Sequence, residues 1–274
     1  MAVGAITGVF SGLTGVGGGA ILVSLMVSWL GMSQHKAQGT TPAVIIPVAF
    51  LGAATYALQG MNGQFFFDAS LALSLIPALA LPGAFGVFIG ATWMSALPAA
   101  QLKRAFGVFL FFIAFSMLTH GILPIGTPVG TEVAVPYIFW VMLGFVTGVF
   151  AGFLGIGGAI VLVPFMALGA GMPQHMSQGI TLAVVAITSI VGAYAHYRLG
   201  NVSVETAMLM APGAVVAVVV ASLVAGQIDG FWLTKIFGLA MLYFGYQFAF
   251  VRSHPAPAPT DPSAADPSVG HYSI

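Results

Sequence analysis

Apolar residues run through this chain in long stretches, interrupted by short polar or glycine-rich breaks. The runs cover 1–14, 20–31, 39–58, 71–93 and 101–123, then 136–154, 159–171, 179–197, 206–226 and 231–251. A helix rises about 1.5 Å per residue, so about 20 apolar residues cross the ~30 Å core of a bilayer. The last three runs of each set reach that length. The runs at 20–31 and 159–171 do not, and each follows a glycine break, at 15–19 and 155–158. Short segments around glycine breaks, in matching places of two halves, predict broken or re-entrant helices at a binding site. The pattern predicts an all-α, polytopic integral membrane protein.

The two sets of runs are copies of one unit. A shift of about 140 residues aligns Thr7-Gly8-Val9-Phe10 with Thr147-Gly148-Val149-Phe150, and Gly15-Val16-Gly17-Gly18 with Gly155-Ile156-Gly157-Gly158. It also aligns Gly31-Met32-Ser33-Gln34-His35 with Gly171-Met172-Pro173-Gln174-His175. A gapped continuation pairs Pro82-Gly83 with Pro212-Gly213 and Phe106-Gly107 with Phe237-Gly238. We divide the chain into a first transmembrane repeat at 1–125, a connecting loop at 126–135, a second transmembrane repeat at 136–252 and a tail at 253–274. The tail is rich in Pro, Ala, Ser and Asp, lacks an apolar run, and is expected to be disordered.

Composition removes whole classes of function. Of 274 residues 59% are hydrophobic and only 4% charged, against about 25% charged in soluble domains. Net charge is zero, so there is no basic stripe for nucleic acid. The chain has no Cys, which removes disulfides, thiolate catalysis and thiolate metal sites. Met1 to Ala5 carry no basic n-region, so no signal peptide is expected and the chain enters the bilayer almost at once.

The few charges bear on topology. With an odd number of crossings per half, Lys36, Lys103, Arg104, Arg198 and Arg252 share one face and only Lys235 lies opposite. With four crossings per half the split is more even. The positive-inside rule favours the lopsided count. It makes the repeats inverted and puts the N-terminus, the 32–38 loop and the tail in the cytoplasm.

Candidate chemistry sits at the breaks and just beyond them. Gly17, Gly18 and Gly19, with Gly157 and Gly158, would bare backbone N–H groups at half-helix N-termini, where an anion is held. Gly4, Gly8 and Gly12 read instead as close helix packing. Gln38-Gly39-Thr40-Thr41 and Gln178-Gly179-Ile180-Thr181 open the next long helices. They supply neutral donors and close backbone approach, or else plain capping. His35 and His175 read as interfacial loop histidines rather than metal ligands, and His196, Tyr197 and Arg198 as interfacial anchors. Asp68, Glu132, Glu205 and Asp229 all lie at segment ends or in loops. A carboxylate-driven cation pump, which needs acids inside the membrane, is therefore not expected. No catalytic constellation, metal site or cofactor motif is present. Neutral donors and helix N-termini suit a small anion.

The glycine signature at 15–19, its echo at 155–158 followed by Pro164, the Gly-Thr-Thr at 39–41 and the Tyr56-to-Gly60 helix ending resemble the sulfite exporter TauE/SafE family. The resemblance covers residues 4–251. It implies a permease of the cell inner (plasma) membrane that exports a small sulfur-containing anion such as sulfite or an organosulfonate. Ala159 stands opposite Gly19, Ile180 opposite Thr40 and Ser24 opposite Pro164, so the two half-sites are unequal. The expected function is a secondary transporter working by alternating access, with the small anion and the bilayer as partners and homo-oligomerisation left open. The alternatives are an anion channel, and a membrane-embedded enzyme or assembly factor.

Overall fold

The computed structural model describes residues 1–61, 64–65, 69–93, 99–120, 135–155 and 157–250. Asp68, Glu132, Arg252, most of the 126–135 loop and the 253–274 tail lie outside the described residues, as does the side chain of Lys103.

The described chain is helical apart from one short ladder. In order come α1 (Ala2–Thr14), α2 (Gly19–Leu30), α3 (Gln34–Leu58), α4 (Ala69–Trp93) and α5 (Ala99–Thr119). The second copy supplies α6 (Tyr137–Leu154), α7 (Ala159–Pro164), α8 (Gln174–Arg198), α9 (Val204–Ala225) and α10 (Gly230–Phe250). Between α3 and α4, β1 (Gly60–Met61) pairs antiparallel with β2 (Gln64–Phe65). Among the described residues five helices are long and apolar enough to cross a membrane: α3, α4, α6, α8 and α9. Prolines within α3, α4 and α9 are tolerated because neighbouring helices satisfy the freed backbone groups.

The breaks lie where the glycines put them. Helix α1 stops at Gly15 (φ 69°) and α6 at Gly155 (φ 67°), a left-handed conformation that strains any residue carrying a Cβ. After the first break the chain folds back on itself. Gly18 lies against Thr7 and Ser11 of α1, and Gly158 lies likewise against Thr147 of α6. The short segments then differ. Helix α2 is a regular 12-residue helix, whereas α7 runs into a π turn at Phe165–Gly169, closed by Ala170 N–H donating to Phe165 O at 3.1 Å. The π turn begins directly after Pro164, which has no N–H for the α-helical ladder.

Helices of one copy pack mainly on helices of the other. Helix α1 lies along α9 in the same direction, with Gly4 against Met210 and Ala214, and Gly12 against Val218 and Ser222. Helix α6 lies along α4 in the same way, with Gly144 against Leu79, Gly148 against Gly83 and Gly152 against Val87. The small-residue stripes read as packing surfaces thus bring backbones into contact. The equivalent helices α3 and α8 cross antiparallel, Gly52 beside Leu182 and Gly192 beside Pro42. Helices α5 and α10 are antiparallel too, Gly107 beside Gly245 and Ala249, and Gly238 beside Met117 and Leu118.

The surface is inside out relative to a water-soluble protein. Phe50, Phe85, Phe112, Met208 and Tyr246 stand exposed, while Thr7, Gln38, Thr40, Thr41, Gln178 and Thr181 are buried. Lipid is as apolar as the exposed side chains, so polar groups gather where other helices can bond them. Lys235, the one cation assigned to the opposite face by charge counting, donates to the carbonyls of Met117 (3.3 Å), Leu118 (2.7 Å) and His120 (2.7 Å) at the end of α5. A cation at a helix C-terminus meets the negative end of its dipole.

A methyl at Gly148 would overlap the backbone of Gly83, whereas nothing lies within 4 Å of one at Gly169. Gly148→Ala should therefore destabilise the protein by about 1–3 kcal/mol, the usual cost of overpacking, and Gly169→Ala should not. Thermal unfolding of both variants in detergent checks this. Equal melting temperatures would show that the α4–α6 contact does not require bare backbone.

Candidate functional site

A helix that stops inside a membrane leaves its last four carbonyls without intrahelical donors. At the end of α1 the carbonyl of Leu13 accepts from Gln178 Nε2 at 3.4 Å. At the end of α6 the carbonyl of Leu154 accepts from Gln38 Nε2 at 3.1 Å. Each glutamine thus serves the break of the opposite copy. The packing is equally reciprocal, Gly15 lying against the Gln178 side chain and Gly155 against that of Gln38. The phenol oxygen of Tyr56 completes the first arrangement, 2.7 Å from the Gly12 carbonyl and 2.7 Å from Gln178 Oε1. Its single proton serves one acceptor at a time.

The two breaks meet. A Cβ built on Gly17 would stand 3.2 Å from Val185 Cγ1 and 3.6 Å from Ile45 Cγ2, and one on Gly157 would stand 3.6 Å from the same Val185 methyl. Gly17 (φ 74°) and Gly157 (φ 71°) are both left-handed, so both tips present bare backbone to one point. Ile45 and Val185 are equivalent residues of α3 and α8, near the middle of each helix. The structure therefore joins the two breaks at the crossing of α3 and α8.

The other site candidates are placed differently. The Gln-Gly segments do not open their helices, because α3 starts at Gln34 and α8 at Gln174. Gln38 and Gln178 consequently face inward one turn along. Gly39 lies against the Asn201 carbonyl, and Thr40 donates to Lys36 O (2.7 Å) while accepting from Ser203 N–H (2.9 Å). These two tie α3 to the α8–α9 turn. Thr41 donates to Ala37 O at 2.8 Å, and Thr181 points at Met166 Sδ, 3.7 Å away. Their hydroxyls do not reach the break N–H groups in this conformation. Gly18 and Gly158 pack on the preceding helices, and Gly19 and Gly179 are buried in α2 and α8.

The histidines correct the sequence reading. His35 is exposed, but His175 is buried in the first turn of α8, its Nε2 3.2 Å from Ala225 O and 3.0 Å from Ile228 O. His196 is not an interfacial anchor: it is 1% exposed, beside Tyr197 at 64%. Among the described residues no group of three or more His, Asp or Glu is placed to hold a metal ion. Tyr56, Ile45, Val185 and His196 were not singled out as site residues. The signal for the last was available, since His196 occupies in the second copy the position of Tyr56 in the first.

Comparison with known proteins agrees with this architecture. The sequence profile of the family described as sulfite exporter TauE/SafE matches residues 1–117 and 140–271. The chain is 36% identical over 70 residues to the "Probable membrane transporter protein YdhB" of Bacillus subtilis, a match covering 26% of this chain and 29% of that protein. It is 29% identical over 109 residues to a "Probable membrane transporter protein" of Haemophilus influenzae, covering 37% and 41%. The chain thus matches less than half the length of these relatives. No solved structure matches it.

Removing the Tyr56 hydroxyl leaves two buried acceptors competing for fewer donors. Tyr56→Phe should cost about 1–3 kcal/mol, read as a lowered melting temperature in detergent, while Tyr246→Phe, on an exposed side chain, should not. An unchanged melting temperature for Tyr56→Phe would mean that the phenol does not hold the α1 tip.

Proposed function

The chain belongs to the sulfite exporter TauE/SafE family, and we propose that it is a secondary transporter carrying a small sulfur-containing anion, such as sulfite or an organosulfonate, out across the inner (plasma) membrane. The observation that carries this is the meeting of the two glycine breaks on Val185, where α3 and α8 cross. At that point the first N–H groups of α2 lack intrahelical acceptors, and the adjacent glycines let an anion approach the backbone. Gly17, Gly18, Gly19, Gly157 and Gly158 form the floor of the site. Gln38 and Gln178 hold the two tips around it, Gly39, Thr40 and Gly179 seat the flanking helices, and the hydroxyls of Thr41 and Thr181 turn inward when the anion is bound. Among the described residues the only carboxylates are Glu205 and Asp229, both near helix ends. No acid there competes with the substrate for donors.

The antiparallel packing of α3 on α8 and of α5 on α10 supports inverted repeats, because equivalent helices that run oppositely are related by an axis lying in the membrane plane. Such repeats exchange access to a central site by rocking about it. Helices α3 and α8, which meet both breaks, are the natural pivot.

Proteoliposome counterflow of labelled sulfite tests the reading and separates a carrier from a channel. Gly17→Asn and Gly157→Asn, which tolerate the left-handed conformation but cover the backbone, should abolish counterflow while the protein still purifies folded. Thr41→Val should weaken affinity about ten- to a hundredfold, the worth of about 1.5–3 kcal/mol for a bond to a charged group. His35→Ala, on an exposed side chain, should leave transport intact. Normal transport by both glycine variants would overturn the site, and normal transport combined with a dead His35→Ala would replace it with a histidine mechanism.

Topology is tested separately. A single cysteine at Ser33 should react with an impermeant thiol reagent only from the cytoplasm, and one at Pro173 only from outside. Both positions are exposed, and there is no native Cys to interfere. Reaction of both from the same side would rule out inversion.

A further inference from the structure

Val185, Ser189, Gly192 and His196 follow one another at helical spacing along one face of α8. The line leads from the meeting point of the breaks to the helix's C-terminal end. Beside it lies a small cavity bounded by Thr188, Ser189, Gly192 and His196, by Pro42 of α3, Val87 of α4, and Ala151 and Gly152 of α6. Its volume is about 20 Å³, enough for about one or two waters.

His196 lines this cavity with a side chain that is 1% exposed; its ring lies against the Gly152 carbonyl and meets no other hydrogen-bond partner. That carbonyl can serve only the ring's single N–H, and not its acceptor nitrogen. A buried imidazole keeps both a donor and an acceptor, so at least one nitrogen needs something the protein does not supply.

The equivalent line on α3 is built to be shut. Ile45, Ala49, Gly52 and Tyr56 stand there, with Val48 in place of Thr188 and Ala49 in place of Ser189. Leu182 reaches within 3.0 Å and Val218 within 3.2 Å of the Cβ position of Gly52, whereas at Gly192 the nearest atoms are Val87 Cγ1 at 3.3 Å and Pro42 at 3.6 Å. At the end of the line Tyr56 closes on Gly12 and Gln178, the counterparts of Gly152 and Gln38. One copy thus has a polar line beside a cavity, ending in a histidine with at least one unpartnered nitrogen, and the other has an apolar line ending in a bonded tyrosine.

We propose that the groove along α8 is the route by which the transported oxyanion reaches the crossing, with Ser189 and His196 as its donor contacts, and that Tyr56 is the closed gate of the equivalent route along α3. The proposal rests on the transport reading above and adds to it the path and the gate. An oxyanion offers only acceptors, which suits a hydroxyl and an imidazole N–H. Helices α3, α4, α6 and α8 carry no Asp or Glu, so no negative charge on these elements opposes it. In the present conformation the cavity has room for about one or two waters and is too narrow for the anion. Passage therefore requires the α6 side, next to the second break, to give way.

The cysteine-free chain allows a direct test in proteoliposomes with a small anionic methanethiosulfonate reagent. Ser189→Cys should react at least tenfold faster than Ala49→Cys, and equal or reversed rates overturn the route. Adding His196→Tyr, which copies the closed gate, should slow labelling of Ser189→Cys at least tenfold. Adding Tyr56→His should speed labelling of Ala49→Cys by a similar factor. Unchanged rates in both overturn the gate assignment. Where Ser189→Cys does not purify as folded protein, Thr188→Cys takes its place with the same expectation. Fast labelling at Ser189→Cys in a protein whose unmodified form shows no sulfite counterflow supports the route and overturns the substrate reading alone.

Discussion

A helix interrupted within a bilayer must find partners for the backbone groups it strands, because the hydrocarbon offers none. Much of this structure follows from that demand. The tips of α1 and α6 end in carbonyls that only side chains from elsewhere can serve, and Gln178 and Gln38 serve them. Each glutamine belongs to the other copy. The copies therefore cannot fold as two independent halves set side by side; each completes the break of its neighbour. The glycine stripes of α1 and α6 make this possible, because only bare backbones let α9 and α4 come close enough to seat both tips against the central pair.

Reciprocity at the tips goes with inequality around them. The second copy has lost Gly19 to Ala159 and gained Pro164, and its short segment turns from α to π where the first copy stays regular. Tyr56 gives the α1 tip a phenol bonded at 2.7 Å, while the residue in its place at the α6 tip, His196, is buried with at least one ring nitrogen unpaired. A buried polar group left unpaired costs about 1–3 kcal/mol relative to one that is bonded. The two tips are thus held with different firmness. A device that must open one side at a time gains from such a difference, since perfectly equal halves would leave the resting side undefined.

The sequence makes the breaks, the repeat and the helix-rich membrane architecture legible, because each is carried by local chemistry: glycine in the left-handed region, run length against bilayer thickness, and identity at a fixed shift. The packing role of Gly4, Gly8 and Gly12 is legible for the same reason. Partnership across the copies is not. Nothing in the spacing of Gln38 tells that its amide is spent on Leu154, more than a hundred residues away, so its polarity was open to being read as a ligand contact. In the sequence His196 reads as interfacial because it is followed by Tyr197 and Arg198, which look like an interfacial anchor. On a helix adjacent residues point about 100° apart, and here Tyr197 faces out while His196 faces in. The helix starts are hidden in the sequence too, since Gln34 and Gln174 are polar and precede the apolar run by a turn.

The same physics bears on why a site of this kind would suit a transporter. A fixed Lys or Arg at the crossing would attract an anion strongly in a low-dielectric interior: two unit charges 4 Å apart interact by about 4 kcal/mol even at an effective dielectric of 20. Such a partner holds its ligand and also carries a desolvation cost of its own when the ligand leaves. The cations of the described chain are kept to helix ends or to capping positions, as with Lys235 on the carbonyls closing α5. What remains at the crossing is backbone dipole and neutral side chain, which attract an anion by fractions of a charge and are not left ionised when it departs. Glycine at Gly17 and Gly157 then has two roles in one position. It permits the left-handed turn within the break, and it adds no side chain over the neighbouring N–H groups. A side chain there would spoil the turn and screen the dipole together, so the point where the helix is broken and the anion site proposed above fall on the same residues.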